Sequence, residues 1–193
     1  MLGTLGIVGA PFLLIDIYLH NPDGNPENYV HSSSGGFFGL VYISAWLCSA
    51  YGLYRLRATG TSRFGKAILL VLMSTLVLAN GWNIYEIIQP HARTPLYNFL
   101  DMFWPGSNLM MFFVGMATLA AGRLSGWRRY VPLLVGLWLP FSALALFYII
   151  GKSMLVMYAV GLYSAIMWTL MGYMIRTSQP APRVAEQKVP FEV

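Results

Sequence analysis

The chain has 193 residues, of which 57% are hydrophobic and only 10% charged, whereas a typical soluble domain is about 25% charged. A soluble fold of this length cannot bury so much apolar surface, so the composition excludes an ordinary soluble protein and indicates a lipid environment. The net charge of +5 does not indicate a nucleic-acid partner, because the basic residues are distributed according to the apolar segments around them.

Long apolar runs predict membrane-spanning helices. The first run begins at Met1 and continues past a single acid, Asp16, to Leu19. Each of the other runs holds 18 or more uncharged residues, close to the roughly 20 that cross a bilayer as a helix. These runs are 37–54, 67–85, 102–122, 130–151 and 153–175. The sequence therefore predicts an all-α integral membrane protein, a bundle of six transmembrane helices.

The basic residues predict the orientation of this bundle. Ten of the twelve lie between the second and third spans, between the fourth and fifth, or after the sixth: Arg55, Arg57, Arg63, Lys66, Arg123, Arg128, Arg129, Arg176, Arg183 and Lys188. The alternate segments carry only Arg93 and Lys152. The positive-inside rule makes the basic side cytoplasmic. We therefore expect both termini in the cytoplasm and the membrane to be a bacterial inner (plasma) membrane.

A short helix is predicted outside the six spans, within residues 89–102. Thr94 followed by Pro95 is a typical helix start, with the cap at Thr94 and proline at the first helical position. Leu96 and Phe99 then follow helical spacing. We expect this segment to form an interfacial helix on the outer surface.

The predicted loops are too short to fold by themselves, so residues 1–176 are expected to form a single six-helix membrane domain. Residues 177–193 are polar with three prolines, which is typical of a disordered cytoplasmic tail. Gly3, Gly6 and Gly9 recur every three residues and indicate a helix that neighbouring backbones approach closely.

Polar side chains gather near the outer ends of the predicted helices. Asp16 and His20 are four residues apart and share a helix face. Asn80, Asn83 and Glu86 follow a spacing of three and form a polar stripe on the third helix. Such groups are costly to bury in a membrane and are therefore candidates for function. These five residues predict a ligand-binding site in a polar cavity that opens outward.

A structural explanation of the same residues stays open. Acids and histidines near a helix end can reach interfacial water, and Asn80 and Asn83 can bond neighbouring helices. His31, His91 and Asp101 also lie on the outer side. Histidine and carboxylates are suitable zinc ligands, but no tight motif such as H-E-x-x-H is present. We therefore predict no metal site and no catalytic residue, and the sequence leaves any cofactor unknown.

One serine motif was considered as a nucleophile. Residues 34–40, SGGFFGL, resemble the serine motif of rhomboid intramembrane proteases. That family needs a histidine in a later transmembrane helix to activate the serine. The only later histidine here is His91, in a predicted loop, and the motif lies at the start of the second helix. We therefore interpret it as coincidental.

These observations favour a non-enzymatic membrane protein that binds or transports a small solute or apolar ligand through the outward-facing cavity. Two alternatives stay open: an accessory subunit of a larger membrane complex, and an outward-facing membrane enzyme that uses Asp16, His20 and Glu86. The expected partners are the lipid bilayer, a small solute or lipid ligand, and either further copies of the chain or other subunits of a membrane complex. Nucleic acid is not expected.

The orientation can be tested with single cysteines introduced in a background that lacks Cys48. An impermeant thiol reagent added to intact cells should label Asn98→Cys, because the positive-inside rule puts that segment outside. Ser62→Cys should be labelled only after the cells are permeabilised. The reverse pattern would overturn the predicted orientation.

Overall fold

The computed structural model describes residues 1–21, 28–142, 151 and 153–178. These ranges contain α-helices, a short 3-10 helix at Gly126–Arg129, a π-helical stretch at 140–142 and no β-strand. The α-helices are α1 (Leu2–Gly9), α2 (Phe12–His20), α3 (Ser33–Arg55), α4 (Arg63–Ile88), α5 (Pro95–Asp101), α6 (Phe103–Ala121), α7 (Val131–Gly136) and α8 (Met154–Thr177). Helical backbone continues beyond α7 as far as Ser142. The tail predicted to be disordered lies, from residue 179 onward, outside the described residues.

Four helices begin at a hydroxyl side chain that caps the first turn. Ser32, Ser62, Thr94 and Ser153 each accept a hydrogen bond from the N–H three residues later, at 3.0, 3.0, 3.2 and 3.4 Å. Each bond satisfies a donor that has no partner within the helix. Pro95 is the first residue of α5, so the helix predicted after Thr94 is confirmed.

Six helical segments pack side by side in a closed ring. One segment consists of α1 and α2, which are separated only by Ala10 and Pro11. This segment contacts α3, and the ring continues through α4, α6, α7 and α8 before α8 returns to α1 and α2. The short helix α5 contacts α4 and α6. We call the end that carries Asp16 and Glu86 the acidic end, and the end that carries Arg55 and Arg176 the basic end.

Four segments are long and apolar enough to cross a membrane: Leu2–His20, Ser33–Arg55, Arg63–Ile88 and Met154–Thr177. The predicted count of six is not confirmed by this criterion. The fourth predicted span, α6, begins with the residues FWPGSN, and its early proline, glycine, serine and asparagine lower its hydropathy. Much of the fifth predicted span falls in residues 143–150, outside the described residues.

Glycines let α1 pack tightly against its neighbours in the ring, α3 and α8. Gly3, Gly6 and Gly9 are all buried, as their spacing predicts. A Cβ atom at Gly3 would collide with the backbone of Gly172 in α8, and one at Gly9 would collide with Ala45 in α3. In lipid, helices associate through such close packing because there is no hydrophobic difference to drive them together.

Aromatic side chains fill the core between α3 and α8. The indole rings of Trp46 and Trp168 are fully buried and meet edge to face, with centroids 5.0 Å apart and planes at 84°. Tyr42 lies beside both rings, and its hydroxyl hydrogen-bonds Ser164 at 3.0 Å. Edge-to-face pairs of this kind add about 0.5–1.5 kcal/mol to simple burial, so this cluster holds the two helices in register.

The glycine packing can be tested at Gly172. A Cβ atom there would lie 2.7 Å from the backbone nitrogen of Ile7 and 2.8 Å from the carbonyl oxygen of Gly3. We expect Gly172→Ala to destabilise the protein by about 1–3 kcal/mol, the usual effect of overpacking. The control is Gly106→Ala, where nothing lies within 4 Å of the new atom. Equal melting temperatures for the two variants in the same detergent would contradict this packing.

Candidate functional site

A cavity of about 650 Å³ lies inside the ring, within the roughly 300–1,000 Å³ typical of small-molecule sites. Its apolar wall includes Leu13, Ile17, Tyr42, Ile43, Ala79, Trp82, Trp104, Trp138, Leu139, Met157 and Val160. Its polar lining includes Asp16, Asn21, Tyr29, His31, Asn83, Arg93, Tyr97, Asn98 and Asp101. Arg93, Asn98 and Asp101 are exposed, so the cavity reaches the surface at the acidic end.

One hydrogen-bond network joins α2 to the start of α3. His20 is bonded through Nδ1 to Oδ1 of Asp16 at 2.8 Å and through Nε2 to Oγ of Ser34 at 2.9 Å. Tyr29 donates to the other oxygen of Asp16 at 2.8 Å. Asp16 and His20 are buried, whereas Ser34 is exposed. A buried acid and histidine therefore stand behind an accessible hydroxyl.

The direction of every bond in this network follows from its donors. A carboxylate only accepts, so Nδ1 of His20 carries a proton, and in the neutral imidazole Nε2 then accepts from Ser34. Ser32 accepts from the N–H of Gly35 at 3.0 Å and lies 3.0 Å from Ser34, so its own proton is free to point at Ser34. Burial, and then the charge of Asp16, raise the pKa of Tyr29 well above its ordinary value, which keeps that hydroxyl a donor.

A second network surrounds the carboxylate of Glu86, which is 1% exposed. His31 bonds one oxygen through Nδ1 at 3.0 Å, and Arg93 lies 3.8 Å from the other. The hydroxyl of Tyr97 is 3.3 Å from the same nitrogen of His31. Burial, followed by the neighbouring Glu86, raises the pKa of Tyr97, so this phenol stays protonated. This network joins α4 to the segments before α3 and α5.

The asparagine stripe serves two purposes. Asn80 donates to Ser44 of α3 at 3.1 Å and accepts from Asn83 at 3.3 Å, so it bonds α4 to α3. Asn83 lies against Gly39, where a Cβ atom would collide with its amide, and it also lines the cavity. The glycine makes room for the amide between the two helices.

The structure separates the five predicted site residues into three groups. Asp16 and Asn83 line the cavity. His20 and Glu86 are buried behind the lining, within the two networks. Asn80 faces the helix contact instead, because one step of three residues turns it about 60° around α4.

The residues near the expected mouth are also divided. His31 and Asp101 line the cavity. His91 is exposed and is not among the lining residues of the part described. Asp101 ends α5, and although it is exposed, the protein around its carboxyl partly excludes water and raises the pKa of that group.

Several site residues were missed by the sequence analysis. Asn21 and Tyr29 lie between the first and second apolar runs, outside the segments from which the site was predicted. Tyr97 is the buried residue of α5. Adjacent residues differ by about 100° around a helix, so the apolar spacing of Leu96 and Phe99 could have indicated that Tyr97 lies on another face.

Ser34 has a histidine partner that the motif did not indicate. His20 precedes Ser34 by 14 residues and reaches it from the end of α2, so the absence of a later transmembrane histidine still separates this site from the rhomboid pattern. The packing of α2 against α3 brings the two side chains together, and no local spacing in the sequence indicates this contact.

Within the described ranges, no group of three histidine, cysteine or acidic side chains is placed to hold a metal ion. Comparisons with protein-family models, with curated proteins and with solved structures found no match to this chain. Function is therefore inferred from the cavity and the two networks beside it.

The water content of the cavity can be tested at Asn83, which is only 3% exposed. With Cys48 replaced by alanine, Asn83→Cys should react with a small impermeant methanethiosulfonate added from the acidic end. Asn98→Cys is the reactive control, and Val77→Cys, on the lipid-facing side of α4, should stay unreactive. A folded Asn83→Cys protein that does not react while Asn98→Cys does would exclude a hydrated cavity.

Proposed function

We propose that this chain binds a small solute or apolar ligand in the cavity at the acidic end. The observation that carries the proposal is Asn21, which lines the cavity, is 1% exposed and has no partner for either amide atom in the described part of the chain. A buried polar group left unsatisfied costs about 1–3 kcal/mol. A ligand or bound water that fills the cavity would remove this penalty.

The lining supports an amphiphilic ligand. Trp104 and Trp138 form part of an extended apolar wall, whereas Asp16, Asn21 and Asn83 offer charge and hydrogen bonds toward the open end. A few polar groups in a mainly apolar cavity are typical of sites that fix a ligand's orientation. We expect the apolar part of the ligand to lie against the tryptophans and its polar head to lie near Asp16.

Transport of that ligand would need a second arrangement of the helices. The core around Trp46 and Trp168 is fully buried, and it fills the space between α3 and α8. Binding is therefore the activity that this arrangement of side chains favours, and transport is its extension.

We further propose six spans, with both termini in the cytoplasm of a bacterial cell. Six segments complete the ring, and the 19 residues of α6 extend about 28 Å at 1.5 Å each, close to a hydrocarbon layer of about 30 Å. At the basic end, Arg55 is the last residue of α3 and Arg176 is the second-last residue of α8. In this orientation the cavity opens to the outside of the inner membrane.

The ligand proposal can be tested with two adjacent substitutions in α4. Ala79 lines the cavity and is 2% exposed, whereas Leu78 is 40% exposed on the outer surface of the ring. Ala79→Phe should fill the cavity and reduce bound ligand at least about tenfold, which corresponds to 1.4 kcal/mol of binding energy. Leu78→Phe should bind like the wild type.

The measurement is extraction of the purified proteins in nanodiscs, followed by mass spectrometry of small molecules that co-purify. The amount per protein is compared among the wild type, Ala79→Phe and Leu78→Phe. Equal amounts in all three proteins, or no retained molecule in any of them, would count against a ligand in this cavity.

A further inference from the structure

We propose that Asp16, His20 and Ser34 form a catalytic triad that hydrolyses carboxylic esters of membrane amphiphiles. This activity goes beyond ligand binding in the cavity and does not depend on it. The three side chains form a continuous chain from a buried acid, through a buried histidine, to an exposed hydroxyl.

The two imidazole nitrogens of His20 have different partners, as they do in a catalytic triad. Nδ1 of His20 bonds the acid at 2.8 Å and Nε2 bonds the hydroxyl at 2.9 Å, both within the distance needed for proton transfer. The acid then holds the imidazole in the tautomer whose free nitrogen can take the proton of Ser34. Tyr29, bonded to the second oxygen of Asp16, holds that carboxylate in place.

The role of a helix cap does not explain Ser34. Ser32 caps α3, because its hydroxyl accepts from the N–H of Gly35. Ser34 is the second residue of α3, and its hydroxyl points instead at His20. The proton on Ser32 is free to point at Ser34, so the hydroxyl of Ser34 accepts from one side and donates to Nε2 on the other.

The first turn of α3 also offers donors for a developing oxyanion. The N–H groups at the start of a helix have no acceptor within it. At α3, Ser32 takes the N–H groups of Gly35 and Gly36, and those of Ser33 and Ser34 stay available within the described structure. Backbone donors beside the nucleophile are the usual means of stabilising the negative oxygen of a tetrahedral intermediate.

The reaction balances with water as the only co-reactant. Oγ of Ser34 attacks the ester carbonyl carbon and its proton passes to Nε2 of His20, while the carbonyl π electrons move onto oxygen. Collapse breaks the carbon–alkoxy bond, and the leaving alcohol takes the proton from His20. Water then attacks the acyl-serine and gives its proton to His20, the carbon–Oγ bond breaks, and Ser34 recovers a proton. The products are a carboxylic acid and an alcohol.

The position of Ser34 favours an amphiphilic ester. It lies at the start of α3, one of the segments able to cross a membrane, and therefore at the boundary between lipid and water. Phe37, one turn further into the membrane, is 52% exposed, and the ring of Phe38 lies 6.1 Å from that of His20. An acyl chain can lie along these rings while its ester group meets the hydroxyl at the boundary.

The decisive experiment is labelling of the full chain in lipid nanodiscs with a long-chain alkyl fluorophosphonate, which reacts with activated serines. Tandem mass spectrometry should find the adduct on Ser34 of the wild type and no adduct in Ser34→Ala. Ser125→Ala, which changes an exposed serine at the basic end, should be labelled like the wild type. A folded wild type with no adduct, or with the adduct at another residue, would overturn the triad.

Turnover gives a second measurement with p-nitrophenyl decanoate as the probe in the same nanodiscs. Ser34→Ala and His20→Gln should each reduce the hydrolysis rate at least about 100-fold, the usual contribution of a positioned general base. Ser34→Ala changes an exposed residue and leaves the bond between His20 and Asp16 in place, so it should fold even if His20→Gln does not. Hydrolysis by folded Ser34→Ala at the wild-type rate would refute the proposal. Loss of ligand in Ala79→Phe tests the cavity separately.

Discussion

A polar side chain inside a bilayer must find its hydrogen-bond partners within the protein, because lipid chains offer none. Much of the acidic end follows from this constraint. Asp16 is bonded by His20 and Tyr29, and Glu86 is bonded by His31 with Arg93 nearby. Each carboxylate thus connects its own helix to the segment before α3, Asp16 through Tyr29 and Glu86 through His31. The two networks together hold the polar lining of the cavity in place.

The other half of the ring is held by close backbone packing at glycines, which have no side chain to keep the helices apart. Where α1 passes α8 and α3, glycines bring the backbones into contact, and the ring is closed. Toward the acidic end the lining includes large aromatic and polar residues from other segments, such as Trp138 after α7 and Asn83 of α4, and the segments cannot approach as closely. A tight end and a wide end of one ring explain why the cavity lies where it does, with its mouth beside the charged groups.

The sequence predicted those parts of the fold that depend on local composition and spacing. The apolar runs, the Thr94 cap and the glycine repeat each leave a mark within a few residues, and helices appear where these marks predict them. Contacts between distant residues leave no such mark. His31 and Glu86 are 55 positions apart, and nothing in the chain indicates that they meet. The run that contains α6 is free of charges, but its polar first turns keep α6 out of the segments apolar enough to cross a membrane.

The division of the candidate site follows the same rule. Asp16 and His20 were recognised because residues four apart share a helix face. The stripe on α4 was recognised too, but which of its members faces the cavity depends on the rotation of α4 against α3. Asn80 meets Ser44 and Asn83 reaches the cavity, a difference that only the packed helices determine. The contact of Ser34 with His20 was not predicted because its partner comes from the preceding helix.

Pro11 interrupts the first segment between α1 and α2. Proline has no N–H, so the carbonyl of Ile7 lacks the donor that an unbroken helix would supply four residues later. The α1 side of this break packs against Gly172, whereas α2 packs against α3 and α8. A change of angle at this break would therefore move Asp16 and His20 together relative to α1, because both lie on the α2 side of it.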